Sequence, residues 1–400
     1  MSKSNIEWTE STWNPVVGCS IVSPGCTNCY AMKTAARNEA MGISRYDGTT
    51  RVVNGNVVWT GKLVQAPEST LLQPLKRKKP TTYFVNSMGD LFHEDCPDAW
   101  IDRVFAVMAL TPQHTYQVLT KRAERMRDYI IACGATLGRQ AELRAQIESI
   151  DLDIAEIDQA RSRVSGVVGK HWKPLPNVWL GVSTERQQEA DERIPLLLQT
   201  PAAVRFISAE PLLGPLDVRP WLSDESGCEH CDDDDGGGTP RCHRDNIPRD
   251  QQCPEKFAVF EHDEGPLDAD GAPAWIRPRR ISLDWVIAGG ESGANARPMH
   301  PDWARSLRDQ CAAASVPFFM KQWGNWYPWI DRDNDDPDLR RPYPNYKEPH
   351  FQILNLAGGR GFHGERVHVM RYCSKKAAGR LLDGVEHNGM PARCGEVAAA

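Results

Sequence analysis

The sequence lacks any apolar run of the ~18 residues that a membrane-spanning helix requires. Its first residues, MSKSNIEWTESTWNP, lack the apolar segment of a secretory signal peptide. Charge of neither sign dominates, since 47 basic and 53 acidic residues give a net charge of −6. These absences argue against a membrane protein, an exported protein and a protein that coats nucleic acid with its whole surface. They predict a cytoplasmic protein with no membrane partner.

The sequence also contains no complete nucleotide-binding motif. The segment GGESG at 289–293 follows an apolar run, and its backbone amides can hold an anion or an amino-acid carboxylate. It matches neither a P-loop nor the full dinucleotide fingerprint. What the sequence does contain is 12 cysteines in 400 residues. In a chain without an export signal, so many cysteines favour metal binding over a disulfide framework.

Short apolar runs alternate with helical patterns along most of the chain. The clearest runs lie at 82–90, 116–122, 178–185, 204–211, 284–293 and 316–324, with a shorter one at 57–62 and helices at about 98–110, up to 198 and at 301–314. This alternation is typical of βαβ units and predicts a parallel sheet covered on both faces. The fold class is therefore α/β, with residues 1–330 forming a partial or full (β/α) barrel.

Three segments interrupt this pattern. Residues 138–165 are polar with heptad-like Leu and Ile, which predicts an inserted helical arm. Residues 223–280 are rich in Gly, Pro, Asp and Cys and form a second insertion. Residues 331–400 are expected to be a carboxyl-terminal extension that begins with a charged, proline-rich loop at 331–348.

Polar or ionisable residues follow six of the predicted strands. Ligands of parallel α/β folds bind outside the carboxyl ends of the strands, so these residues are expected to form one cup. They are Asn86, Ser87 and Asp90; Thr120 and Lys121; Ser183, Thr184 and Glu185; Ser208 and Glu210; Glu291 and Ser292; and Lys321 and Gln322. Taken singly, each can instead be a helix cap or a loop residue.

The strongest chemical signal is a cysteine loop, Cys19, Cys26 and Cys29, with the spacing C-x6-C-x2-C. Three thiolates on one short loop can hold three irons of a 4Fe–4S cluster and leave the fourth iron open. A structural zinc ion is the alternative, but it needs a fourth ligand, for which His93 and Cys96 are the nearest candidates. Unligated core cysteines are the third interpretation.

A cysteine loop of this kind in front of a predicted (β/α) barrel resembles the radical S-adenosylmethionine superfamily. The resemblance implies that the open iron binds S-adenosylmethionine and that an external electron donor drives cleavage to a 5′-deoxyadenosyl radical. The common superfamily spacing is C-x3-C-x2-C, from which this sequence departs by three residues.

A closer resemblance covers nearly the whole chain in order. It rests on the strings EWTESTWNPVVGCSIVSPGCTNCYA, NSMGDLFHEDCP, VLTKRAERM, GVSTERQ, FISAEPLLGPL, DWVIAGGESG, PFFMKQWG and AGRLLDGVEHNGMP. These resemble a phage and prophage family of three-cysteine-motif, radical-SAM-like proteins that is distantly similar to spore photoproduct lyase. The resemblance implies an isomerase or lyase that rearranges a modified thymidine or reverses a base lesion in phage DNA, inside the bacterial host cytoplasm.

Residue roles follow from the resemblance as hypotheses. The cluster ligands would be Cys19, Cys26 and Cys29. The expected cofactor-binding residues are Tyr30, Ser87, Asp90, Ser183 and Glu185, and the candidates for proton transfer are Glu210, Glu291, Lys321 and His93. Tyr30 can equally be a core residue, and His93 can equally be part of a helix entry.

A second cysteine cluster lies in the 223–280 insertion. Cys228 and Cys231 form a CxxC pair, and Cys242 and Cys253 can complete a four-thiolate zinc site, with His243 as a substitute ligand. The segment is poor in apolar residues, so a metal is the expected source of order. A second iron–sulfur cluster and a metal-free loop remain alternatives.

Three basic segments precede or follow strands, at 76–79, 121–127 and 277–280. With nearby tryptophans they can contact a phosphate backbone and stack on bases, although each can also be a solvated surface. The sequence therefore favours a radical enzyme acting on a nucleic acid or a modified nucleotide. A non-catalytic, metal-stabilised nucleic-acid-binding phage protein and a zinc hydrolase on the same barrel are the alternatives.

Overall fold

A computed structural model describes residues 6–135, 137–150, 174–222, 241–242, 247–248, 281–332, 350–361 and 366–392. In chain order the strands are β1 (Ser11–Trp13), β2 (Val16–Val17), β3 (Thr50–Val53), β4 (Asn56–Trp59), β5 (Val64–Gln65), β6 (Thr82–Val85), β7 (Thr115–Thr120), β8 (Val178–Ser183), β9 (Val204–Ala209), β10 (Arg241–Cys242), β11 (Ile247–Pro248), β12 (Trp285–Gly289), β13 (Phe318–Gln322), β14 (Trp326–Arg332), β15 (Phe351–Asn355) and β16 (Val367–Tyr372). The helices are α1 (Tyr30–Ala40), α2 (Glu68–Leu71), α3 (Asp98–Leu110), α4 (Ala123–Ala135), α5 (Leu137–Glu148), α6 (Gln187–Leu198), α7 (Pro301–Ala313) and α8 (Lys375–Ala378).

Seven strands form one parallel sheet in the order β1-β6-β7-β8-β9-β12-β13. The sheet curls, because Trp8 contacts residues of strands that lie far apart in this order. Its ring centroid is 4.8 Å from that of Phe84 on β6 and 6.0 Å from that of Trp285 on β12. The architecture is therefore a half-barrel, and it confirms the predicted α/β class.

Side chains alternate between the two faces along each strand, and both faces of this sheet are covered. On β9, Phe206 packs inside the half-barrel with Trp8 and Trp285, whereas Ile207 and Ala209 pack outside in the larger core. That outer core also contains the buried faces of α3, α4, α6 and α7. Strands buried on both sides are expected to be almost continuously apolar, which is why the sequence identified them.

The predicted helices and strands agree closely with those observed. The helix expected at 98–110 is α3, which starts directly after Pro97 at the N-cap position. The 57–62 run belongs to β4, which forms a hairpin with β3 outside the main sheet. No helix within the described ranges is long and apolar enough to cross a membrane.

The start of the predicted helical arm is helix α5, which lies against the barrel. Arg139 of α5 donates to both carboxylate oxygens of the buried Asp102 on α3, at 3.1 and 2.7 Å. Arg103 on α3 donates to the carbonyl of Gln146 at 3.2 Å. These contacts hold α5 on α3 as part of the outer helical layer, and residues 151–165 of the predicted arm lie outside the described residues.

A separate antiparallel sheet follows β13, in the order β14-β16-β15. Its first strand starts at Trp326, so the sheet spans the boundary at 331 that the sequence predicted for the carboxyl-terminal extension. Most of the loop predicted at 331–348 lies outside the described residues.

Gly181 tests how tightly the interior of the half-barrel is packed. A Cβ atom at this position would lie 2.5 Å from the ring of Phe206, which is fully buried. We expect Gly181→Ala to lower the free energy of unfolding by about 1–3 kcal/mol, because the ring has no space to move into. Urea unfolding of both proteins measures this change.

Gly214→Ala is the matched control for this substitution. Its Cβ would meet only one atom, of the Arg186 side chain at 3.9 Å, which is ordinary van der Waals contact. Equal unfolding midpoints for Gly181→Ala and the wild type would contradict the described packing.

Candidate functional site

The carboxyl ends of the parallel strands and the cysteine loop line one cleft. The predicted strand-end residues on its wall are Asn86, Ser87, Asp90, Thr120, Lys121, Ser183, Ser208, Glu210, Glu291, Ser292, Lys321 and Gln322. Cys19, Cys26, Cys29 and Tyr30 form another part of the wall. Thr184 and Glu185 are fully buried behind it. Residues from six strands therefore meet at one rim, as parallel strands require.

The three thiols of the cysteine loop are free, and none forms a disulfide. Cys26 ends a single 3₁₀ turn, Pro24–Cys26, and is 7% exposed. Cys29 lies directly before the first residue of α1. All three face the cleft, so a group bound to them would lie against the polar strand ends.

The spacing of these thiols bears on the kind of metal they can hold. Three His, Cys, Asp or Glu side chains can share one metal ion when their ligand atoms lie close together. Among the described residues, the group of three whose ligand atoms all lie within 4.8 Å of one another contains no cysteine. The three sulfurs therefore do not all lie within 4.8 Å of one another, whereas the ligand atoms of a single zinc ion lie close together. A polynuclear cluster, which takes each thiolate on a different metal atom, matches a wider spacing.

Burial and, to a smaller extent, the nearby carboxylate of Asp90 raise the pKa of the Cys19 thiol to about 12, against the opposing effect of Arg122. Burial also raises the pKa of Cys29, although the backbone amides of Met32 and Ala31 at the start of α1 oppose this effect. Metal ligands must be deprotonated, so binding a metal here releases protons.

Arg122, just after β7, anchors the first part of the cysteine loop. It is 7% exposed and donates to Ser20 Oγ at 2.6 Å and to Cys19 Sγ at 3.6 Å. The ring of His93 also contacts Ser20 Oγ, at 2.9 Å. Asp90 accepts from Arg122 at 2.9 Å and fixes the guanidinium in place.

Glu185, just after β8, anchors the middle of the loop. It is fully buried, and it accepts a hydrogen bond from Ser23 Oγ at 2.6 Å. Lys121 and Arg193 form ion pairs with it, the latter at 3.0 Å. Gly25 packs directly on its carboxylate, where any Cβ would collide. Burial acts to raise the pKa of Glu185, but Lys121 and Arg193 outweigh it and hold that pKa below its usual value.

Glu291, just after β12, anchors the end of the loop. Its carboxylate accepts from Asn28 at 3.0 Å and from the guanidinium of Arg297 at 2.6 and 2.9 Å. Arg297 also donates to the carbonyl of Pro24 at 3.0 Å. Strands β7, β8 and β12 thus each end in a charged residue that binds the cysteine loop.

The other side of the cleft has a different polar group, at the ends of β9 and β13. Lys321 Nζ lies 3.0 and 3.1 Å from the two carboxylate oxygens of Glu210, and Ser208 Oγ donates to Glu210 at 3.1 Å. Lys321 Nζ also lies 5.9 Å from the ring centroid of Trp8. Within the described part of the chain, this group forms no hydrogen bond or ion pair with the cysteine loop, and it lines the cleft.

Some of the predicted site residues already bind partners within the protein, namely Asp90, Glu185, Glu291 and His93. His93 also does not line the cleft. Tyr30 is half-exposed at the mouth, where its hydroxyl donates to the carbonyl of Ser87 at 3.0 Å. The sequence interpretation missed the anchoring roles of Arg122, Arg297 and Asn28, because their partners are distant in the chain.

The two basic segments that the structure describes, 76–79 and 121–127, lie at opposite ends of the sheet. Lys121, Arg122, Arg125 and Arg127 all form ion pairs within the protein. Residues 76–79 precede β6 and so lie at the opposite end of the sheet from the cleft. The segment 277–280 lies outside the described residues.

The second cysteine cluster lies outside the described residues at Cys228, Cys231, His243 and Cys253. Cys242 belongs to β10, which pairs with β11, but its side chain is not described. The predicted metal site of this insertion stays a prediction.

Residues 3–391 match a protein family described as Protein of unknown function (DUF5131). The chain belongs to the DUF5131 family. Neither the curated proteins nor the solved structures gave a match. Because the family match spans both the half-barrel and the carboxyl-terminal sheet, the two are parts of one DUF5131 unit.

Glu185 provides a test of the anchored loop in this DUF5131 protein. We expect Glu185→Gln to lower the free energy of unfolding by about 3–5 kcal/mol at pH 7, because Lys121 and Arg193 lose a buried charged partner. Glu192→Gln, on the exposed face of α6, is the control and should stay within about 0.5 kcal/mol of the wild type. Urea unfolding measures both.

The effect of Glu185→Gln should also depend on pH. Because the pKa of Glu185 is lowered in the folded protein, its charge stabilises the fold above the pKa of an unfolded glutamate, about 4.3. That stabilisation is lost as the pH falls through the lower pKa that Glu185 has in the folded protein. The gap between wild type and variant should therefore narrow below about pH 4.3; a constant gap would show that the charge of Glu185 does not act as described.

Proposed function

We propose that this protein binds a 4Fe–4S cluster through Cys19, Cys26 and Cys29 and is a radical S-adenosylmethionine enzyme that acts on a nucleobase. The observation that carries the proposal is the position of three free thiols on one anchored loop, at the wall of a cleft formed by parallel strand ends. When bound, such a cluster supplies the electron that cleaves the sulfonium of S-adenosylmethionine to a carbon radical.

The donor set fits this cluster. Three thiols at wider spacing than one ion needs can each take a different iron, and no fourth side chain of the described residues joins them in a compact metal site. The anchors from Arg122, Glu185 and Glu291 reach the loop from three strands, so the positions of the thiols are fixed before any metal binds. Preorganised ligands of this kind favour one geometry of the bound group.

The chain also provides polar groups for the cofactor and the substrate. Tyr30, Ser87 and Ser183 line the cleft next to the cysteine loop and are placed to contact the adenosine or methionine part of the cofactor. Glu210 and Lys321 face them from β9 and β13 and can hold or move a proton on the substrate. Trp8, Phe84 and Leu119 provide an apolar wall that excludes water from this region.

A nucleobase is the substrate class that this lining supports. Half-exposed Tyr30 offers an aromatic surface at the mouth, and the paired carboxylate and ammonium of Glu210 and Lys321 match the acceptors and donors of a base edge. The rim itself has little free positive charge, since its basic residues are paired. The affinity for the substrate is therefore expected to come mainly from contacts with the base and to depend only weakly on its phosphates.

Cys26→Ala tests the cluster. We expect the reconstituted wild type to be brown with a broad visible absorption band, and to release 5′-deoxyadenosine when given a reductant and S-adenosylmethionine under anaerobic conditions. Cys26→Ala should lose the deoxyadenosine because one iron has lost its ligand. Liquid chromatography of the reaction mixture measures the product.

Cys311→Ala is the matched control, because Cys311 is a fully buried cysteine on α7 that does not line the cleft. It should keep the iron content and the deoxyadenosine. A colourless wild-type protein that contains zinc, or full activity in Cys26→Ala, would contradict the proposed iron–sulfur cluster.

Glu210→Gln tests the substrate side of the cleft. The probes are a thymine-rich single-stranded oligonucleotide and the same oligonucleotide after ultraviolet irradiation, with the change in nucleoside composition measured by mass spectrometry. We expect Glu210→Gln to lower the conversion by about 10²–10⁴-fold, as for loss of a general acid or base. Iron content and basal deoxyadenosine should stay unchanged, and conversion at the wild-type rate would exclude a proton-transfer role.

A further inference from the structure

A second cluster of potential metal ligands lies away from the cleft, between α7 and the carboxyl-terminal sheet. It consists of His300, Asp302 and His368, and one ligand atom from each lies within 4.8 Å of the other two. His300 is the N-cap residue of α7, Asp302 is in its first turn, and His368 is on β16. The cluster therefore joins the half-barrel to the antiparallel sheet.

Both imidazoles of this cluster are buried, with His300 fully buried and His368 2% exposed. Their ring centroids are 4.7 Å apart, with the rings perpendicular. His368 Nε2 lies 3.9 Å from Asp302 Oδ2 and 3.1 Å from Asp331 Oδ1 on β14, and it makes no hydrogen bond within the described residues. A buried polar atom without a partner is costly, and this one points into the cluster.

The carboxylates around the imidazoles are arranged asymmetrically. Arg305 donates to Asp302 Oδ1 at 2.7 Å, which leaves Oδ2 facing the two histidines. His300 Nδ1 lies 4.0 Å from Oδ2 and at present accepts the amide N–H of Asp302. The guanidinium of Arg366 lies 3.6 Å from the same Oδ2 and 3.3 Å from Asp331 Oδ2.

We propose that His300, Asp302 and His368 form a binding site for a divalent transition-metal ion, with Zn²⁺ as the best-matched ion, that links α7 to the carboxyl-terminal sheet. Two imidazoles and one carboxylate are a common zinc ligand set, and Asp331 or a water molecule completes four-coordination. The ion takes the unpaired Nε2 of His368 as a ligand and replaces the helix cap made by His300 Nδ1. This site does not depend on the proposed function of the cleft.

The protonation state of the histidines favours this use. Burial and, to a smaller extent, the neighbouring His368 lower the pKa of His300 to about 4. Burial also lowers the pKa of His368, against the effect of the carboxylates of Asp331 and Asp302. Burial therefore favours the neutral form of both rings, which is the form that binds a metal.

The experiment uses the full-length reduced protein, stripped of metal with a chelator and then loaded with Zn²⁺. We expect Asp302→Asn to bind one zinc fewer per chain than the wild type and to weaken the affinity at this site by at least about tenfold. The rise in Tm of a few degrees that zinc gives at this site should be lost in the same variant. Zinc at the cysteines contributes equally to both proteins and cancels in the comparison.

Asp383→Asn is the matched control, because Asp383 also pairs with Arg305, at 2.6 Å, but lies outside the ligand set. It should keep both the extra zinc and the rise in Tm. His368→Gln should behave like Asp302→Asn, and Co²⁺ bound at this site should show no thiolate-to-metal charge-transfer band. Equal zinc content and equal zinc-dependent Tm shifts in Asp302→Asn and the wild type would overturn the proposal.

Discussion

The attachment of the cysteine loop to the ends of the parallel strands is the interaction on which the rest of the site depends. Arg122, Glu185 and Glu291 follow β7, β8 and β12, and each binds a different part of the loop. A loop of this length with proline and glycine in its middle has many conformations available when free. Buried, charge-assisted hydrogen bonds from three strands select one of them.

This attachment determines which charged residues remain for chemistry. The carboxylates of Glu185 and Glu291 bind Arg193 and Arg297 as well as the cysteine loop, so they hold the loop in place. Glu210 and Lys321 are different, since they pair with each other at the cleft wall and, among the described residues, form no hydrogen bond or ion pair with the loop. The half-barrel thus has one side that holds the thiols and another side that faces a bound molecule.

The fold could be predicted from the sequence because doubly covered strands are continuously apolar and parallel strands place their ends at one rim. The short β1 could not, since Ser11–Trp13 is only three residues long and mostly polar. The anchors of the loop could not be predicted either. Ser23 and Glu185 are 162 residues apart, and Asn28 and Glu291 are 263 apart, and no local pattern encodes such pairs.

The same limit applies to the cluster around His368. Its ligands come from a helix start and from a strand of a sheet that the sequence did not reveal, and the histidines follow no metal-binding spacing. Conversely, the C-x6-C-x2-C loop is recognisable because its three cysteines lie within one short segment. Local ligand sets can be read from sequence, whereas sets assembled by tertiary contacts require the fold.

The central claim is that the three loop thiols hold an iron–sulfur cluster with one iron open to the cleft. Electron paramagnetic resonance of the reduced, anaerobically reconstituted protein, recorded with and without S-adenosylmethionine, tests it most directly. The account predicts a cluster signal that changes when the cofactor is added, because the cofactor binds the open iron. An iron-free protein, or a cluster signal that S-adenosylmethionine leaves unchanged, would contradict it.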